Sequence, residues 1–229
     1  MTLKIANSAI PRLSLLNNKD LVTAAINFCN LSYVSPEAFI FATNLRKLDL
    51  SQNLLKSLQF HSDSYFAIEN LILSGNQFRA VPDLHPLQLL THLDLSHNKI
   101  THLTDNDLSL PNLQVIDLSH NELQSLKPTN FGDMSRILSL DGNPWRCDCQ
   151  LRQFIAYQRK TLTAKSSSCH EPVQIRGTKW GDLSLMVRKI FELQNQSSHP
   201  PLSKTTESKS TCYLFLLLNS KIKYTKNQN

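Results

Sequence analysis

Three of the chain's five cysteines, Cys147, Cys149 and Cys169, stand close together, and thiol pairing or metal binding is the first chemistry they suggest. Zinc fits poorly, because zinc-binding cysteine pairs normally leave about two to four residues between the ligands, whereas only Asp148 separates Cys147 from Cys149. His97 and His120 share a Ser-His-Asn setting and could stack within reach of one ion, but that spelling is also an ordinary turn. His92 lies two residues from Asp94, yet no serine or cysteine nucleophile stands in a workable triad with them. The five glycines spell no phosphate-cradling loop. The expectation is a protein without catalytic residues, metal or cofactor.

The elements that must position these residues come from a repeat. Its clearest copy is Leu45, Leu48, Leu50, Asn53, Leu55 and Leu58, and it returns at Ile68–Val81, Leu90–Leu103 and Leu113–Leu126. A last copy runs Leu138, Leu140, Asn143 and Trp145; upstream, Leu21–Val34 and Leu3–Leu13 fit the same frame. One polar slot recurs at Ser8, Cys29, Asn53, Asn76, Asn98, Asn121 and Asn143. The Leu-x-Leu pair alternates in and out, as a short strand with one buried face does. A coil this small cannot bury its own apolar side, so coils must stack and pair their strands into one parallel sheet. The slot turns the chain inward and leaves buried backbone groups in need of partners. Asparagine offers both donor and acceptor there and can form a ladder through the stack; serine and cysteine do so less well, so the first two coils should be looser. Phe39, Leu108 and Phe131 follow the last apolar position of their coils and should wedge between coils on the convex side.

This frame resembles the leucine-rich-repeat family over residues 3–194. The resemblance implies an α/β solenoid with a parallel sheet on its concave face, an irregular convex side and a small helical C-terminal cap. The segment from Asn143-Pro144 to Cys147 and Cys149, with Leu151, Phe154, Ile155 and Tyr157 at helical spacing, is similar to the C-terminal flanking cap of extracellular members of the Toll-like and Slit-like receptor type. That family pairs its first cap cysteine with its third and its second with its fourth. Carried over, this implies Cys147–Cys169 and leaves Cys149 waiting, with Cys212 as the remaining candidate in place of a fourth cap cysteine. The division expected is a solenoid of about seven coils over 1–143, a cap over 144–194 and a disordered Ser/Thr/Lys-rich tail over 195–229.

Function should lie in outward strand residues, since the leucines are core. Lys47, Asp49, Ile72, His92, Asp94, Val115 and Asp117 are the candidates for a concave ligand-binding panel, strands being about 4.8 Å apart. The three aspartates have a plainer reading as Leu-Asp-Leu filler; Ile72 and Val115 are the better pointers, because an outward apolar residue at a strand centre does nothing for solubility. The partner expected is a protein ligand or co-receptor.

The net charge of +6 divides as −3 over 1–143, +5 over 144–194 and +4 over 195–229, so it offers no case for nucleic-acid binding by the repeats. Arg146, Arg152, Arg159, Lys160, Lys165, Arg176, Lys179, Arg188 and Lys189, extended by Lys204 to Lys226, form the basis of a rival reading, an anionic polysaccharide or membrane surface held by the basic cap and tail. A cytosolic repeat scaffold is a third. Paired cysteines imply an oxidising compartment, and Asn30-Leu31-Ser32 and Asn195-Gln196-Ser197 are glycosylation acceptors in keeping with it. Met1–Ile10 does not read as a secretory signal, and the longest apolar run, from Cys212 to Leu218, is far short of the ~20 residues of a span. The expectation is a shortened form of a longer extracellular or cell-surface protein.

Overall fold

The computed structural model describes residues 1–183, apart from 63, 134, 136, 162, 165 and 166. In chain order the strands are β1 (Thr2–Ala6), β2 (Arg12–Leu13), β3 (Thr23–Asn27), β4 (Tyr33–Val34), β5 (Lys47–Asp49), β6 (Asn70–Ile72), β7 (His92–Asp94), β8 (Val115–Asp117) and β9 (Ile137–Ser139). Helix α1 (Cys149–Thr161) and strand β10 (Thr163–Ala164) follow. The main sheet runs β1-β3-β5-β6-β7-β8-β9-β10, parallel throughout. Its first seven strands come from the seven repeat copies, so six turns of a solenoid lie between them. A second, two-stranded parallel sheet, β2 with β4, joins the first two coils away from the main one.

The alternation of the repeat decides which side is core. Leu48 and Leu50, Leu71 and Leu73, Leu93 and Leu95, Ile116 and Leu118 are all buried, while the residues between them face out. On the convex side Phe39, Leu108 and Phe131 are buried between coils, and Leu108 bridges to Phe131. The third coil spells no apolar residue at that place. Phe60 and Phe66 fill the gap instead, their rings 5.3 Å apart and Phe60 6.2 Å from Phe39.

The slot asparagines are buried and serve the backbone rather than one another. Asn98 donates to the carbonyls of Leu73 and Leu95, both at 3.0 Å, and accepts from the Phe78 N–H at 3.0 Å. Asn53, Asn76, Asn121 and Asn143 repeat this pattern, each reaching the coil before its own. At Cys29 the link to the first coil is a 3.7 Å contact from the thiol to the Ile5 carbonyl, and the Ser8 hydroxyl bonds locally to Ala6 in an exposed setting.

The residue before each slot adopts a left-handed conformation, with φ between 54° and 73° at Asn7, Phe28, Gln52, Gly75, His97, His120 and Gly142. This reverses the chain into the slot and builds a ridge along one edge of the sheet. His97 and His120 stack on it at 4.3 Å with planes 8° apart. A β-carbon at Gly142 would lie 2.5 Å from the His120 Nδ1. Gly142→Ala is therefore expected to cost about 1–2 kcal/mol through left-handed strain, with displacement of the His120 ring in addition. Urea unfolding of that variant beside wild type measures it.

The cap closes the last coil with aromatic rings. Trp145 occupies the place that Leu55, Phe78, Ile100 and Leu123 hold in earlier coils, and its Nε1 donates to the Leu140 carbonyl at 3.0 Å. From α1, Leu151 and Phe154 are buried against the stack, with Ile155 and Tyr157 packed partly on it. Trp180, far away in sequence, meets Trp145 edge-on at 5.3 Å and Phe154 at 6.2 Å. Cys147 and Cys169, both buried, form a disulfide that ties the start of the cap to the strand-like return before Trp180. Cys149 opens α1; Cys212, its candidate partner, lies outside the described residues, as do Asn195 and the tail.

Candidate functional site

Parallel register arranges the outward residues in columns that cross the strands. The first runs Thr23, Lys47, Asn70, His92, Val115; the second runs Ala25, Asp49, Ile72, Asp94, Asp117, Ser139. Lys47 and His92 are exposed, while Asp49, Ile72, Asp94, Val115 and Asp117 are half-buried. Ile72 is thus set between two carboxylates, Asp49 and Asp94, on adjacent strands. Val115 lies next to His92 in the other column. The two apolar residues are on different columns with β7 between them, so they are separate contact points on one panel and do not form a patch.

The serines that end each outward row are more recessed than alternation alone suggests. Ser51 and Ser96 are buried, and Ser51 accepts a 3.0 Å hydrogen bond from Asn27 Nδ2. Each aspartate of the second column accepts the N–H of the serine two residues on, at 3.0 Å for Asp49, 2.9 Å for Asp94 and 2.8 Å for Asp117. Asp49 also accepts from Asn27 Nδ2 at 3.0 Å. One oxygen of each aspartate therefore terminates its own strand. These carboxylates shape the panel whatever else they touch.

His92 pairs with the Thr91 hydroxyl at 2.8 Å and not with Asp94. Beside the panel, the Arg46 guanidinium pairs with the Glu69 carboxylate across β5 and β6, and both are open to solvent. On the ridge, the stacked rings of His97 and His120 lie in nearly parallel planes, so their ring nitrogens do not converge on one point. Among the described residues no group of three or more His, Cys, Asp or Glu gathers as a metal site would need.

Among the described residues, the two carboxyl groups held clearly below the ordinary carboxylate range, Glu37 and Asp83, sit in connecting loops, off the panel. The Ser35 hydroxyl, then its own backbone N–H, lowers Glu37. The His85 backbone N–H, then the His85 ring, lowers Asp83. Both stabilise local turns. Of the basic residues in the cap, Arg146 lies 3.7 Å from Asp148 and 3.6 Å from Glu171, and Arg176 Nε donates to the His170 carbonyl. No helix among the described residues is long and apolar enough to cross a membrane.

Comparison with known proteins agrees with this architecture. Residues 88–144 match the family model described as leucine rich repeat. The chain is 33% identical over 108 residues to leucine-rich repeat-containing protein 3B of Danio rerio, covering 44% of this chain and 42% of that protein. It is 31% identical over 134 residues to nephrocan of Mus musculus, covering 57% of this chain and 26% of that protein. Against Tsukushi of Gallus gallus the identity is 33% over 133 residues, with 54% and 35% covered. The chain thus spans less than half the length of these relatives. Among solved structures, a chain from an octameric complex of Latrophilin 3, Unc5D and FLRT2 (LRR) superposes with a TM-score of 0.67 at 22% identity, covering 76% of this chain and 57% of that one. That likeness is one of fold.

Proposed function

Because this chain is a leucine-rich-repeat protein closed by a disulfide-bonded C-terminal cap, we propose that it binds a protein partner on its concave sheet and works in an extracellular or cell-surface setting. The observation that carries this reading is the register of the panel. Ile72 stands half-buried between Asp49 and Asp94, Val115 stands half-buried beside His92, and Lys47 with the Arg46–Glu69 pair surrounds them. Apolar contact points set among charges of both signs are the composition of a protein-binding surface, where a few desolvated residues inside a polar surround carry most of the energy. The Cys147–Cys169 disulfide supports the oxidising compartment.

A polyanion held by the basic cap and tail is the weaker reading: Arg146 is engaged by Asp148 and Glu171 and Arg176 by the His170 carbonyl. The side chains of Arg152, Arg159, Lys160, Lys165, Arg188 and Lys189 lie outside the described residues. The test begins by retrieving a partner with the folded chain from a panel of secreted and cell-surface proteins. Ile72→Asp with Val115→Asp is expected to weaken that partner at least ~30-fold, the loss of one hot spot. Arg176→Glu with Lys179→Glu is expected to leave it within about threefold, in line with the small contribution of peripheral charges. The opposite pattern, together with loss of binding in raised salt, refutes the concave-face reading.

A further inference from the structure

Phe28 breaks two rules at once. It is 58% exposed, and it holds the left-handed conformation, φ 54°, which a β-carbon disfavours. At the same ridge position other coils place Asn7, Gln52, Gly75, His97, His120 and Gly142, residues that are small or polar. An apolar ring kept open to water in a strained conformation calls for something to cover it.

The sequence two residues on supplies a candidate. Asn30, Leu31 and Ser32 spell an acceptor for N-linked glycosylation, and Asn30 is exposed with φ 53°. Between Phe28 and Asn30, and again after Asn30, Cys29 and Leu31 are fully buried. The Asn53 Oδ1 accepts the N–H groups of both Cys29 and Leu31, at 3.0 and 3.1 Å. One buried carboxamide therefore pins the two inward residues, and Phe28 and Asn30 are both left on the outside of the same turn.

We infer that Asn30 carries an N-linked glycan whose first sugar lies against the Phe28 ring. The Asn30 Nδ2 loses one proton and bonds to C1 of an N-acetylglucosamine, and the lipid pyrophosphate that carried the sugar departs. The face of that sugar bearing axial C–H groups is apolar, and it packs on an aromatic ring at the range of ordinary van der Waals contact. The glycan covers Phe28, and the ring in turn orders the first sugar. This inference rests on passage through the secretory compartment and not on which face binds a partner.

The full chain is expressed in a secretory host as wild type and as Phe28→Gln, which copies the residue of the next coil at Gln52. Mass spectrometry reads Asn30 occupancy and Cys147–Cys169 pairing in the same sample. Melting temperatures are then taken for each protein with its glycan, after trimming to one sugar, and after complete removal. Occupancy at Asn30 is expected, with the glycan raising the wild-type Tm by about 2–4 °C. Trimming to one sugar is expected to keep that increment, and Phe28→Gln to abolish it. An empty Asn30 in protein whose disulfide has formed overturns the inference and leaves the extracellular reading standing. An equal increment in both proteins overturns the contact with Phe28.

Discussion

Asn98→Ala is expected to destabilise the protein by about 1–3 kcal/mol. The asparagine is buried, and its loss leaves the Phe78 N–H without its acceptor and takes one of two asparagine donors from each of the Leu73 and Leu95 carbonyls, which keep Asn76 and Asn121. Two of these three backbone groups belong to the preceding coil, so the damage spans two coils. Lys99→Ala, next door and exposed, is expected to stay within about 0.5 kcal/mol. Urea unfolding measures both. A midpoint for Asn98→Ala that matched wild type would mean that the asparagine bonds add nothing to the stack.

Removing the Cys147–Cys169 disulfide, by changing both residues to serine, is expected to cost about 2–5 kcal/mol. The bridge closes a loop with a sequence separation of 22, and both sulfurs lie in the core of the cap. The damage should be local at first. The chain has two tryptophans, Trp145 and Trp180, and both sit in the cap in edge-on contact. Their fluorescence is thus a private reporter of the cap, whereas far-ultraviolet dichroism reads the sheet. In the double serine variant the tryptophan transition is expected to shift to lower urea ahead of the dichroism transition. Coincident transitions at the wild-type midpoint would contradict both the energetic role of the bridge and the separate character of the cap.

The solenoid was legible because its cause is periodic. Leu48, Leu71, Leu93 and Ile116 each need the same neighbour in the next coil, so the frame is written repeatedly and a single irregular coil cannot hide it. The Cys147–Cys169 bond was legible through the resemblance of the cap segment, and Trp145 through its place in the repeat frame. The left-handed ridge was not, because a positive φ is compatible with spellings as unlike as Asn7, Phe28, Gln52 and His97; only Gly75 and Gly142 signalled it. Trp180 was missed because nothing local distinguishes a residue that returns to the cap from a distant turn.

The candidate panel was read less completely. Alternation identified which residues leave the core, but it treats every outward position alike. It did not foresee that Ser51 and Ser96 are recessed, or that Asp49, Asp94 and Asp117 each spend an oxygen on the backbone two residues ahead. Nor did it place Ile72 and Val115 in different columns, which follows from where each stands within its own strand.

The asparagine bonds also point one way along the molecule. Asn53 completes the coil before it by holding Cys29 and Leu31, and Asn143 does the same for Leu118 and Leu123. A coil is therefore finished by residues that are translated after it. Synthesis runs from the N-terminus, so the newest coil on a growing chain always waits for the next stretch of sequence to satisfy its backbone. The unfinished edge moves forward one coil at a time until Trp145 and the disulfide seal it. Vectorial synthesis and the polarity of the stack then agree in direction.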